Sequence, residues 1–372
     1  METVQVDTKD RRQVQEFLAL PFTLYEDVPQ WVPPFAHQAR LVLNRARHPF
    51  YEHSEAAFFL AQNRGRTIGR LAVLDNRHYN VANEDAAAFF ALFECRDAVD
   101  ASRGLFEAGF DWARQRGLRS VKGPRGFSHL DGLGLLIKGF AHRPAMGIPY
   151  ALPHYRDLVE DAGFHKVDDI LSGHMIRDGS FPERIHRLSQ RVQERRGLRV
   201  LSLRSRRDLL ALAPKFRTLF NESLGSNEDN IPLTEKEVAM LARRLLAFVD
   251  PRLVKVVAKG EELVGFVLAY PDVSAALQRC NGRLFPVGWW HLWREKRRTT
   301  WININGMGIA EEYRGGGGTA ILFSELAKSV AEGGFEHAEL VQIRGNNAEM
   351  LRELQKLGVD LYKVHRLYER EL

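Results

Sequence analysis

Apolar positions fall into short runs of two kinds along the chain. Residues 13–25 carry Val14, Phe17, Leu18 and Phe22 at helical spacing. Residues 101–116 carry Leu105, Phe106, Phe110 and Trp112 along one side of another helix, which Gly117 stops. Residues 57–62 and 67–75 read as two strands about the turn Asn63-Arg64-Gly65, followed by a strand at 86–94 and a short one at Ser120–Gly123. A helix at 154–162 ends at Gly163, and 167–175 reads as a closing strand. Between the first helix and the hairpin lies VPQWVPPFAHQARLVLN, a Pro- and aromatic-rich loop feeding a short helix.

The second half repeats this pattern. FTLYED at 22–27 matches RTLFNE at 217–222, LAQNRGRTIGRLAV at 60–73 matches VAKGEELVGFVLA at 257–269, and DAGFHKV at 161–167 matches KLGVDLYKV at 356–364. The offsets are 219 − 24 = 195 for Leu24/Leu219, 258 − 61 = 197 for Ala61/Ala258 and 358 − 163 = 195 for Gly163/Gly358. A near-constant offset over three patches argues for duplication, with an insertion at 125–149 in one half and at 274–298 in the other. The polar stretch 177–196 opens with Gly, Ser and Pro, then turns into a basic helix. The expected organisation is a first domain over 1–178, a connector over 179–197 and a second domain over 198–372. A chain of 372 residues suits two domains.

Composition narrows the function classes. No run of about 18 apolar residues is present, so no membrane-spanning helix is expected. The first residues, METVQVDTKDRR, lack the apolar core of a secretory signal. With two cysteines, Cys95 and Cys280, a disulfide scaffold is not expected and a reducing cytoplasmic setting fits. No Cys/His spacing for a metal stands out, so the expected metal set is none. The net charge of +6 suits phosphate-bearing ligands. It is too dispersed to argue for a nucleic acid partner.

The candidate chemistry centres on WININGMGIAEEYRGGGGTAILF, residues 301–323. An alternating strand is followed by Glu311, Glu312, Tyr313, Arg314, four glycines and a helical segment. Such a turn aims backbone N–H groups and the positive end of a helix dipole at one point, and Arg314 adds a fixed charge. That is an anion site of the kind that holds a pyrophosphate. It lacks the Lys-Ser/Thr of a phosphate-binding P-loop, and no βαβ unit with an acid on a second strand, as in a dinucleotide fold, is read after it. The stretch resembles the coenzyme A loop of the GCN5-related N-acetyltransferase (GNAT) superfamily, R/Q-x-x-G-x-G/A. Arg314 and Gly317 match, and Thr319 stands where Gly or Ala is usual. The element order of each half is also that of the GNAT fold.

The resemblance implies an α/β protein of two tandem GNAT-like domains, each a mixed, mainly antiparallel sheet flanked by helices. Only the second half carries the cofactor loop. Its first-half counterpart, ECRDAVDASRGLFEAGF, places Asp97 and Asp100 where they would repel a pyrophosphate. The implied activity is N-acyl transfer from acetyl-coenzyme A or another acyl-coenzyme A to a small-molecule or peptide amine. The implied cofactor-binding residues are Met307, Gly308, Ile309, Arg314, Gly315, Gly316, Gly317, Gly318, Thr319 and Asn347. Candidates to accept the amine proton are Glu222, Asn303 and Asn305, the last two on one face of a strand. Leu354 replaces the tyrosine that protonates the leaving thiolate in the family, and Tyr313, Tyr362 and Tyr368 are the possible substitutes. The alternatives are a coenzyme A-binding protein without turnover and a relative of two-domain transferases that use aminoacyl-tRNA.

The insertion SAALQRCNGRLFPVGWWHLWREKRRTT sets bulky aromatics beside a basic cluster. A packed lid or interdomain contact is the preferred reading. Contact of 284–298 with a membrane surface and a grip on an acyl chain or on the 3′-phosphate of coenzyme A are the alternatives.

Overall fold

A computed structural model of the chain describes residues 1–128, 131–177, 181–225, 231–246, 248–313 and 317–372, with backbone alone over 222–225. The first half runs β1 (Glu2–Gln5), α1 (Arg11–Leu24), α2 (Ala36–Leu41), β2 (Glu55–Asn63), β3 (Arg66–Asp75), α3 (Arg77–Ala82), β4 (Ala87–Cys95), α4 (Val99–Arg114), β5 (Ser120–Gly123), β6 (Leu135–Lys138), α5 (Tyr155–Asp161) and β7 (His165–Ile176). The second runs α6 (Glu183–Arg196), β8 (Leu198–Val200), α7 (Arg206–Gly225), α8 (Glu235–Leu246), β9 (Val254–Lys259), β10 (Glu262–Pro271), α9 (Ser274–Cys280), α10 (Gly288–Arg298), β11 (Trp301–Ile309), α11 (Gly318–Glu332), β12 (His337–Arg344), α12 (Ala348–Lys356) and β13 (Asp360–Glu371). The repeated patches occupy matching places. Ala61 and Ala258 lie in β2 and β9, and Gly163 and Gly358 both take left-handed φ, +84° and +81°, just before a closing strand.

The halves share one continuous sheet, ordered β1-β2-β3-β4-β5-β13-β7-β12-β11-β10-β9-β8, with β6 on β13. The order reads alike from both edges, so the sheet has a two-fold pseudo-symmetry centred between β13 and β7. The closing strands are exchanged. β13, from the second half, lies between β5 and β7, while β7, from the first half, lies between β13 and β12.

Helices cover both faces, which is why β2 is apolar at every position from Ala56 to Ala61. Ala57, Phe59 and Ala61 join the core under α4, with Leu105, Phe106 and Phe110. Ala56, Phe58 and Leu60 join the opposite core with Phe17 of α1. The period of two assigns alternate residues to the two layers.

Each half has a place where parallel strands part. β4 pairs with β5 only from Ala87 to Phe89, and β11 pairs with β12 only from Trp301 to Ile304. β4 and β11 run in opposite directions and are five strand spacings apart, about 24 Å. The two openings therefore lie at opposite ends of the sheet. The 125–149 segment covers the middle. Gln342 accepts from the Leu133 N–H at 2.8 Å and donates to the Leu133 carbonyl at 2.6 Å. Lys363 Nζ donates to the Arg143 carbonyl at 2.7 Å.

Candidate functional site

The second-half opening brings several of the singled-out residues together. Past Ile304, β11 leaves β12 while still pairing with β10 through Met307, Gly308 and Ile309. A turn through Glu311–Tyr313 then leads to Gly317 and the start of α11. Gly317 has φ +87°, and a Cβ there would lie 2.6 Å from Val192 Cγ2 of α6. A Cβ on Gly318 would lie 3.3 Å from Ile309 Cδ1. Gly317 lets the turn close on α6, and Gly318 lets the helix start close against the strand. Thr319 follows, half-buried, in the first turn of α11. Arg314, Gly315 and Gly316 lie outside the described residues.

Sequence reasoning missed the cations nearby. Arg195, Arg196 and Lys259 line a small open depression with Glu312 and Tyr313 beside this turn. The stretch 177–196 reads as a connector, but α6 packs along α11 and ends there. His186 Nδ1 lies 2.7 Å from Ser324 Oγ of α11.

The proposed proton acceptors are not equivalent. Asn303 is buried, and its amide nitrogen has no hydrogen-bond partner among the described residues. Asn305 stands where the strands part, and its amide nitrogen donates to the Tyr270 hydroxyl at 3.3 Å. Burial pushes the Tyr270 phenol up to about 12, so it stays protonated at neutral pH. Its hydroxyl reaches the Met146 carbonyl at 3.3 Å. Tyr270 was hidden in an apolar strand pattern. The side chain of Glu222 lies outside the described part of the chain. Asn347 caps α12, accepting from the Met350 N–H at 3.1 Å. Leu354 is buried in an apolar cluster with Leu340 and Val359. Tyr368 donates to Glu160 at 3.0 Å within the first-half core. Tyr362 hydrogen-bonds Glu339, and burial foremost, then that carboxylate, raises its phenol.

The large cavity lies elsewhere. A space of about 1910 Å³ sits between the halves, bounded by the first-half opening, the Pro-rich loop, α8 and α10. This is about twice the upper end of the ~300–1,000 Å³ typical of small-molecule pockets. Its apolar wall includes Phe35, Met146, Phe248, Leu277, Leu292 and Trp293. Arg244, which pairs with Asp131 at 3.0 Å, and Lys296 are among the cations at its margin. None of the catalytic or cofactor-binding residues expected from sequence lines it, although the Trp-rich insertion does. Met146 links it to the second-half opening through the Tyr270–Asn305 pair.

A polar cluster interrupts this wall. Glu94, on β4 where it leaves β5, accepts from the Tyr25 hydroxyl at 2.6 Å and the Tyr155 hydroxyl at 2.9 Å. Arg70 Nη2 stands 3.7 Å from its other oxygen, and Arg70 Nη1 donates to the Phe17 carbonyl at 2.8 Å. Burial pushes the Glu94 carboxyl up, against the pull of Arg70 and the two phenols. Its members come from four separate elements or their ends, so spacing could not reveal the cluster.

His53, His78 and Glu237 also meet across the halves, with ligand-type atoms all within 4.8 Å of one another. The rings of His53 and His78 stack at 3.7 Å. Glu237 already serves two contacts. It lies 3.2 Å from His53 Nε2 and accepts from the Thr234 N–H and hydroxyl at 2.9 Å, a capping box that starts α8.

The Trp-rich insertion departs from the preferred expectation of a packed lid. Phe285, Val287, Trp289, Trp290 and Trp293 are exposed, between 44% and 82%. Only the opposite side of α10, with Leu292 and Lys296, packs against the protein. Helical periodicity marks the amphipathic helix but leaves open which side meets solvent.

No family model matches the chain. It is similar to Protein YghO of Escherichia coli K12, 28% identical over 373 residues covering 98% of this chain and 94% of that one. It is also similar to the bacterial ceramide synthase of Caulobacter vibrioides, 27% identical over 377 residues, 99% of this chain and 97% of that one. Among solved structures it resembles a tandem GNAT protein from the clavulanic acid biosynthesis pathway, with a TM-score of 0.56 at 12% identity over 100% of this chain and 98% of the other. The fold is that of a tandem GNAT-like protein.

Proposed function

We propose that the protein is an acyl-coenzyme A-dependent N-acyltransferase with a long aliphatic chain on one of its two substrates. The cavity of about 1910 Å³ carries this reading, because an acetyl group and a small amine would leave most of it to water. Each methylene buried there contributes about 0.8 kcal/mol. The similarity to a ceramide synthase, over nearly the full length of both chains, points the same way.

The turn before α11 suits the pyrophosphate of coenzyme A, since it leads into a helix N-terminus with free N–H groups and cations beside it. Acyl-coenzyme A supplies the thioester. Arg195, Arg196 and Lys259 would hold its phosphates, and main-chain groups of Met307 to Ile309 would orient the pantetheine arm and polarise the acyl carbonyl. Asn305 and Tyr270 then stand beside the reacting amine, with the aliphatic chain beyond Met146.

A second reading keeps the activity but moves its centre to the first half. Glu94 favours it, being a carboxylate of raised basicity at a strand opening that faces the cavity directly. There it would accept the amine proton.

The test is release of free coenzyme A thiol over a series of acyl chains, with short and long primary amines as acceptors. The expected result is a kcat/KM at least tenfold higher for a long chain on the donor or the acceptor. A flat profile in both series would overturn the proposal. Asn305→Ala and Glu94→Gln variants separate the two centres.

A further inference from the structure

Residues 283–298 hold an exposed concentration of large apolar side chains. Phe285 and Val287 are 82% and 57% exposed, and Trp289, Trp290 and Trp293 follow on α10. Arg294, Arg297 and Arg298 are exposed on the same side, continuing the stripes that begin at Trp289 and Trp290. Trp290 stacks on Trp293 at 4.8 Å, and the Arg297 guanidinium lies 4.2 Å from the Trp293 ring centre.

The opposite side is anchored. Lys296 donates to the Val249 carbonyl at 2.8 Å, Glu295 pairs with Arg279 at 2.7 Å, and Gln278 of α9 donates to the Pro29 carbonyl at 2.7 Å. The helix is a fixed ledge with one side packed and one side bare. Trp289, Trp293 and Arg297 also line the cavity, so the bare side is continuous with its mouth.

We infer that this ledge docks on an anionic phospholipid leaflet, with the tryptophans and Phe285 in the interfacial layer and the arginines on lipid phosphates. Three observations select a bilayer over a protein partner. The apolar groups are mostly Trp and Phe, which suit the headgroup boundary. The flanking charge is cationic, complementary to anionic headgroups, with Glu295 held on the packed side by Arg279. The patch also borders an apolar cavity, so a lipid chain can pass from leaflet to protein without crossing water. The inference stands apart from the acyl-transfer reading, and its test reads vesicle binding alone.

The full chain is sedimented with vesicles of pure phosphatidylcholine and of phosphatidylcholine with about 30% phosphatidylglycerol, at low salt. The expected result is that the anionic vesicles bind at a lipid concentration at least tenfold lower. Trp289→Ser/Trp290→Ser/Trp293→Ser should raise the concentration needed at least tenfold for both vesicles. Arg294→Glu/Arg297→Glu/Arg298→Glu should remove the preference for anionic lipid. Thermal melts and the single Trp290→Ser, expected to be severalfold weaker, guard against a misfolded triple variant. A wild-type chain that stays in the supernatant would overturn the inference. So would folded Trp variants that bind as wild type does. A wild-type dimer that Trp290→Ser separates, with no vesicle binding, would overturn it in favour of a second copy of the chain.

Discussion

Glu94→Gln tests the polar end of the cavity. The substitution keeps the shape and removes the charge. Arg70 is then a buried guanidinium without its counter-ion, retaining the Phe17 carbonyl as partner. Removing one member of a buried pair costs about 3–5 kcal/mol. At about 2.1 cal/mol/K per residue, 372 residues give an unfolding entropy of about 0.8 kcal/mol/K, so Tm should fall by about 4–6 °C. If Glu94 accepts the amine proton, kcat should also fall by about 10²–10⁴. Pairing Glu94→Gln with Arg70→Met removes both charges, and should recover stability but not activity. The pH dependence gives an independent check. Burial raises the Glu94 carboxyl, so the base form gains as pH rises through that elevated value. The acid limb of kcat/KM should therefore lie above the ordinary carboxylate range and vanish in the variant. Thermal melts and coenzyme A thiol release with a long-chain substrate measure both effects. A variant within threefold of wild-type kcat would refute the placing of the reaction centre at Glu94. A double variant no more stable than the single one would refute the ion-pair argument.

Gly317→Asp should abolish measurable coenzyme A binding by calorimetry, since it sets a carboxylate beside the proposed phosphate site and forces a Cβ against Val192 at φ +87°. Lys363→Met should lower stability by about 3–5 kcal/mol in denaturant titrations, because it strands Glu339, its fully buried partner at 2.6 Å. Adding Glu339→Gln should return most of that loss. Burial alone would raise the Glu237 carboxyl, but hydrogen bonds from His53 and Thr234 outweigh it and hold the group at about 2. Its stabilising share is therefore complete above pH 4.5 and fades as pH falls towards 2. Glu237→Gln should flatten that acid loss by about 3 kcal/mol in pH-dependent melts.

The hairpins and the strand-turn-helix around Gly317 were legible because each depends on residues close in sequence, and the repeat because its short patches recur at a near-constant offset. β2 and β3 bracket Arg64-Gly65 as the alternation predicts, and Ser120–Gly123 is a strand. The strand exchange was not legible. β7 and β13 carry the same kind of pattern whichever sheet they join, and pairing across halves leaves no local mark. The Glu94 cluster was also hidden, since Tyr25, Arg70, Glu94 and Tyr155 lie on four different elements or their ends. Asn305 could be singled out from its strand, whereas Tyr270 beside it looked like one more apolar position. The exposed side of α10 was misjudged because bulky aromatics usually mark a core.

The exchanged strands also set an order of events during synthesis. The first half meets β13 at Gly123↔Tyr368, and 368 − 123 = 245 residues separate those partners. At ~5–20 residues per second, translation takes about 12–50 s to span that gap. Throughout, β5 offers an open edge to any strand that passes, its own partner not yet made. β13 then fills the place between β5 and β7, whereas the β12 of the second half meets β7, which is already made. Until β13 arrives that edge stays unpaired, and a chain without β13 would leave β5 and β7 each lacking a partner on one side.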